Sequence, residues 1–99
     1  MTYISFWLEA SKNGKEKDLA HDLPDPPSDR FGPYDLRNWA IREHLEIDYI
    51  DNCWLRVRVQ RGKLIEFFKE VYGQEAEFPL AIVASLPAEW QFTLVAEEF

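Results

Sequence analysis

The sequence predicts an α+β domain with the ferredoxin-like order βαββαβ and one additional C-terminal strand, in which two helices cover one face of a mainly antiparallel sheet. Three observations favour this class. Segments with an apolar period of two alternate with segments of helical period. The 99 residues suffice for a single domain with a thin core. The hydrophobic fraction of 46% and the aromatic fraction of 15% exclude an intrinsically disordered chain.

The first half of the chain contains one predicted strand, one polar insertion and one predicted helix. In residues 2–10 the apolar side chains recur at every second position, which is typical of a half-buried strand. Residues 11–33 form a loop insertion rich in Pro and Asp, in which a short helical segment over 16–23 precedes prolines that prevent regular structure. Pro33 favours a helix start, and residues 34–45 continue this helix with a broad apolar arc.

The second half contains a predicted hairpin, a helix and two strands. Residues 46–60 alternate on either side of Asp51-Asn52, which is typical of a hairpin. Residues 62–72 have apolar side chains at helical spacing, and Gly73 follows as a C-terminal cap. The apolar run 78–84 predicts a buried strand. The alternation over 90–97 predicts a last strand that extends one sheet edge or pairs with another chain.

The charge distribution limits the classes of partner. The net charge is −7, from 18 acidic and 11 basic residues. Nucleic acid is an unfavourable partner because its affinity depends on Lys and Arg at phosphates, and an anionic membrane is unfavourable for the same reason. Residues 71–99 contain five acids and no Lys or Arg. Two interpretations stay open, namely a solubilising surface and a negative face that steers a basic protein partner.

The sequence lacks the motifs of catalysis and cofactor binding. Cys53 is the single cysteine, which excludes an internal disulfide framework and a Cys-based zinc site. The four glycines form no phosphate-binding loop, and no serine lies in a Gly-x-Ser-x-Gly motif. We therefore expect no cofactor and favour a non-catalytic role. The first residues lack the basic region of a secretory signal, so we expect a cytoplasmic location.

Four aromatic and basic side chains form the main candidate for a partner-binding surface. Both helices of a ferredoxin-like arrangement cover the same sheet face, and the alternation directs Trp7, Trp54, Arg56 and Arg58 to the opposite face on two neighbouring strands. Trp and Arg are enriched in binding hot spots. Two interpretations stay open. The face binds a protein, or it is covered by the insertion or the last strand and forms a second small core.

The acidic insertion is the alternative partner-binding surface. Asp22, Asp25 and Asp29 lie there, close in sequence to His21. Their spacing does not match an EF-hand loop, which needs a central Gly and a terminal Glu. We therefore expect no metal site and favour a solvated loop or a contact surface for a basic partner.

His44, Glu46 and Asp48 alternate where the first helix leads into the hairpin. Neighbouring carboxylates change the pKa of a histidine, so this group is the acid–base candidate of an alternative function. That alternative is a small dimeric ferredoxin-like ligand-binding domain or enzyme. A histidine at a helix C-terminus also interacts favourably with the helix dipole, which we prefer as the role of His44.

Together these patterns favour a non-catalytic, acidic protein-interaction module. Its expected action is occlusion of a partner protein, by analogy with immunity proteins and inhibitors that are small, acidic and α+β and lack catalytic motifs. The acidic surface would steer association, and aromatic anchors would hold the complex. The expected partner is a protein with a basic surface. A homodimer through the sheet face or the last strand is a second expectation.

Overall fold

The computed structural model describes residues 4–13, 18–24, 26, 32–51 and 53–98, and it has an α+β architecture. A five-stranded sheet carries three α-helices and one short 3₁₀ helix within these residues. The elements in chain order are β1 (Ile4–Ser11), β2 (Leu19–Asp22), α1 (Pro33–Arg42), β3 (Ile47–Asp51), β4 (Trp54–Val59), α2 (Arg61–Tyr72), the 3₁₀ helix (Gly73–Glu75), α3 (Glu77–Ala84) and β5 (Gln91–Glu98).

The sheet is antiparallel, as the sequence predicts, but its strand order differs from a ferredoxin-like fold. The order is β2-β1-β5-β4-β3, so β5 lies between β1 and β4. The expectation that β1 and β4 are neighbours was therefore wrong, as was the placement of the last strand at an edge. The central position of β5 agrees with its burial, because Leu94 and Val95 point to opposite faces and both are fully buried.

The apolar run 78–84 is a helix and not the predicted strand. A short apolar run is compatible with either a buried strand or a buried helix, so periodicity alone does not distinguish them. Pro79 lies in the first turn of α3, where a missing N–H breaks no intrahelical hydrogen bond. The Leu80 amide donates to the Ala76 carbonyl at 2.9 Å, which closes the first turn.

The polar insertion contains a strand where the sequence predicts helical turns. Strand β2 pairs with β1 at one edge of the sheet, and the Leu23 amide donates to the Phe6 carbonyl at 2.9 Å. Leu23 is buried, and the Tyr72 hydroxyl of α2 donates to the Pro24 carbonyl at 2.7 Å. This end of the insertion is therefore fixed to the core, whereas the predicted site residues Asp25 and Asp29 lie outside the described residues.

The helices cover one face of the sheet. Leu64, Phe67 and Phe68 of α2 are fully buried, as the helical period predicts, and the Phe67 ring lies 4.5 Å from the Trp39 ring of α1 between centroids. Gly73 ends α2 with a φ of 56°, a backbone conformation that favours glycine. The sheet residues in the same core cluster are Phe6, Leu8, Ala10, Leu55, Val57, Val59, Phe92, Leu94 and Ala96.

Candidate functional site

The candidate site is the sheet face on the side away from the helices, here called the outer sheet face. Side chains alternate between the two faces of a strand, so the residues between the core positions of β1, β4 and β5 point to this face. The pairing register adds residues from both edge strands. The outer sheet face comprises Ser5, Trp7, Glu9, Asp22, Asp48, Trp54, Arg56, Arg58, Thr93, Val95 and Glu97.

One cross-strand row forms the centre of the outer sheet face. Trp7 pairs with Val95, and Val95 pairs with Arg56 on its other side. Val95 is fully buried although it does not belong to the core cluster under the helices. The row ends in carboxylates, because Asp22 pairs with Trp7 and Asp48 pairs with Arg56. The row therefore has Trp7, Val95 and Arg56 at its centre and a carboxylate at each end. All of its members except Val95 were predicted from the sequence as partner-binding or acid–base residues.

Glu9 organises this centre, and it was not among the predicted site residues. Its carboxylate accepts a hydrogen bond from Trp7 Nε1 at 2.9 Å and forms a salt bridge with Arg56 Nη2 at 2.6 Å. The side chain of Glu9 is only 6% exposed, whereas that of Arg56 is 26% exposed. Because β5 separates the strands of Glu9 and Arg56, this ion pair crosses the central strand. Two predicted contact residues are therefore held in fixed positions by one buried carboxylate.

Trp54 presents a buried hydrogen-bond donor without an acceptor. Its side chain is half-buried, and its Nε1 atom has no hydrogen-bond partner. A buried unsatisfied donor is costly, so such a group in a folded protein requires an explanation. Because this atom has no accessible surface, an acceptor on a bound partner would reach it only after the indole turns outward.

Arg58 and three carboxylates provide the exposed charge of the outer sheet face. Arg58 is exposed and lies two residues beyond Arg56 on β4. Asp22 and Asp48 are exposed at the two edges, and Glu97 is half-buried beside Trp54 in the register of β4 and β5. The face therefore combines two indole rings and two guanidinium groups with an acidic periphery.

The acid–base candidates His44, Glu46 and Asp48 are all exposed, where α1 leads into β3. His44 is exposed, has a positive φ of 58° and follows the C-cap residue of α1, which is the position of a helix-dipole partner. Asp48 lies on the outer sheet face, with its carboxylate 3.9 Å from Arg56 Nε. A shallow depression between α1 and α2 is lined by other residues, namely Asp35, Asn38, Trp39, Arg42, Glu70 and Val71.

The described part of the chain offers no alternative site of the metal or membrane kind. Residues 4–13, 18–24, 26, 32–51 and 53–98 contain no group of three or more His, Cys, Asp or Glu side chains able to hold a metal ion. Each helix within the same ranges is too short or too polar to cross a membrane. Comparison with protein-family models, curated proteins and solved structures finds no match to this chain.

Proposed function

We propose that the chain is a non-catalytic protein-interaction module that binds a partner protein through the outer sheet face. The observation that carries this proposal is the position of Trp54, Arg56 and Arg58 on one face of β4, where Trp54 is half-buried and Arg58 is exposed. The indole N–H of Trp54 is inaccessible and unpartnered, so a partner satisfies this donor only if the indole turns outward on binding. Trp and Arg together are the residue types that carry most binding energy in protein interfaces.

The contacts of Glu9 support this proposal because they fix part of the surface before binding. The hydrogen bond to Trp7 and the salt bridge to Arg56 restrict both side chains. Immobilising a rotamer-rich side chain on binding costs about 0.5–1.5 kcal/mol, and a side chain that is already fixed avoids this cost. The outer sheet face thus has a preorganised centre beside the freer Arg58.

The proposed mode is occlusion of a basic partner, as in inhibitors and immunity proteins. The net charge of −7 accelerates encounter with a positively charged protein, and Asp22, Asp48 and Glu97 place part of this charge around the aromatic centre. Cys53, the single cysteine of the chain, is exposed, which fits the reducing cytoplasm that we propose as the setting.

Capture of the partner from cells that express the chain naturally tests this function. Tagged wild-type chain is compared with Trp54→Ala and Arg58→Glu, and the matched controls are Tyr34→Ala and Lys69→Glu on exposed helix positions. We expect both outer-face variants to lose a specific protein by about tenfold or more, since hot-spot residues contribute about 2 kcal/mol or more. Both controls should retain it. Retention of the same protein by both outer-face variants would contradict the proposal.

A further inference from the structure

Helix α3 is apolar on its outward side as well as on its inward side. Residues 78–88 contain no charged residue, and α3 occupies most of this stretch. Pro79 and Val83 are buried against the rest of the domain. Apart from the exposed Glu77 in its first turn, α3 is apolar on all sides, and a helix of that kind is normally buried all around.

The outward side of α3 exposes a large aromatic anchor. Phe78 is 60% exposed, and Ala81 is exposed one turn further along the helix. Ile82, four residues after Phe78 and therefore on the same side of the helix, is half-buried. We call Phe78, Ala81 and Ile82 the α3 surface. Its residues follow the i, i+3, i+4 pattern by which one helix contacts another.

Acidic residues flank the α3 surface in the chain. Glu75, Glu77 and Glu89 are exposed, and residues 70–98 contain no Lys or Arg. Two cations contact this part of the chain: Arg61 binds carbonyl groups beyond the middle of α3, and Lys12 Nζ lies 5.7 Å from the centroid of the Trp90 ring. An apolar strip between acidic positions complements a strip of apolar residues between basic ones.

The position of α3 is fixed before any partner binds. Arg61 at the start of α2 donates from Nη1 to the carbonyl of Leu86 at 3.0 Å and to the carbonyl of Val83 at 3.3 Å. Val83 lies in the last turn of α3 and Leu86 lies two residues after its end, and the Val83 carbonyl also accepts from the Leu86 amide at 3.1 Å. The bonds from Arg61 also direct its charge to the end of the helix.

We propose that the α3 surface docks a basic amphipathic helical segment of a partner protein. The apolar anchors fit the apolar stripe of such a helix, and Glu75, Glu77 and Glu89 fit its basic flanks. A second copy of this chain is a poor occupant because two α3 surfaces would bring like charges together. The α3 surface belongs to the helical layer, whereas the outer sheet face lies on the opposite side of the sheet. This proposal therefore stands independently of the proposed function.

A fluorescent model peptide tests the proposal on the purified chain. The probe is a Leu/Lys amphipathic helix of about 18 residues, or five turns, and its control has Glu at every Lys position. We expect saturable binding of the basic peptide by fluorescence anisotropy and no binding of the acidic one. Phe78→Ser should weaken binding about tenfold, and Glu77→Lys should weaken it and reduce its salt dependence. Tyr34→Ser, at another exposed aromatic, should bind as the wild type does.

The remaining outcomes overturn the proposal. Equal affinity for the acidic peptide, an absence of saturable binding, or unchanged binding by Phe78→Ser would each do so. Sedimentation that shows a dimer abolished by Phe78→Ser would assign the α3 surface to a second copy instead. Loss of the peptide in Trp54→Ala, with Phe78→Ser unaffected, would move the peptide to the outer sheet face. Unfolding midpoints verify that each variant folds, and Phe78→Ser should fold because its side chain is exposed.

Discussion

The ion pair that crosses the central strand makes the sharpest energetic prediction. Glu9→Ala removes a charged acceptor from Trp7 and Arg56. Hydrogen bonds to charged groups contribute about 1.5–3 kcal/mol each, so these two bonds together correspond to about 3–6 kcal/mol. The Arg56 side chain is 26% exposed and regains contact with water in the variant, so we expect a loss of about 3 kcal/mol in the free energy of unfolding. A domain with about 5–15 kcal/mol of stability remains folded after this loss.

A double-mutant cycle separates this pair from its surroundings. Urea unfolding of wild type, Glu9→Gln, Arg56→Met and the double variant gives the coupling free energy between the two side chains. We expect a coupling of about 1.5–3 kcal/mol, since Glu9 is buried and the two charges lie 2.6 Å apart. A coupling below about 0.5 kcal/mol, the value of an ordinary surface pair, would refute the role assigned to Glu9.

Three further predictions concern the core, the insertion and the helix surface. Phe67→Ala should cost about 3–5 kcal/mol in urea unfolding, because Phe67 is fully buried, and a loss below about 1 kcal/mol would contradict the packing of α2. Tyr72→Phe removes the hydrogen bond to the Pro24 carbonyl, so it should lower the free energy of unfolding by about 1 kcal/mol and speed amide exchange in residues 18–24. Unchanged exchange would show that this bond does not fix the insertion. The hydrogen bond from Lys63 holds the pKa of Glu43 below its ordinary value of 4.5, so the pair stabilises the fold above that pH and this stabilisation is lost as the pH falls below it. Lys63→Met should therefore reduce stability at neutral pH and have a smaller effect in acid, and an effect that does not change with pH would argue against the pair.

Local periodicity correctly predicted the strands and helices in which apolar residues occupy one face and polar residues the other. The alternation in β1 and β4 and the helical spacing of Leu64, Phe67 and Phe68 each specify one buried face. Helix α3 and the position of β5 were predicted wrongly because both depend on contacts with distant segments. An apolar run such as 78–84 fits two structures, and the neighbours of β5 are chosen by packing across the whole sheet.

The difference between local patterns and contacts between distant segments also explains which parts of the candidate site could be predicted. Alternation along single strands is enough to direct Trp7, Trp54, Arg56 and Arg58 away from the helices. The role of Glu9 was missed because its salt bridge joins two strands that are separated by β5 and lie far apart in the chain. An acidic residue at an outward position between apolar strand residues, with an Arg-x-Arg strand elsewhere, was the signal that could have indicated this pair.

Photo-crosslinking from the outer sheet face tests the central claim most directly. Thr93, which is half-buried and pairs with Arg58 on the outer sheet face, is replaced by p-benzoylphenylalanine in cells that express the chain naturally, and the same substitution at exposed Tyr34 of α1 is the control. If the outer sheet face binds a partner protein, irradiation should give one discrete adduct from position 93 and none of the same mass from position 34. The adduct should disappear when Trp54→Ala is added. The same adduct from both positions, or an adduct that persists with Trp54→Ala, would contradict the account.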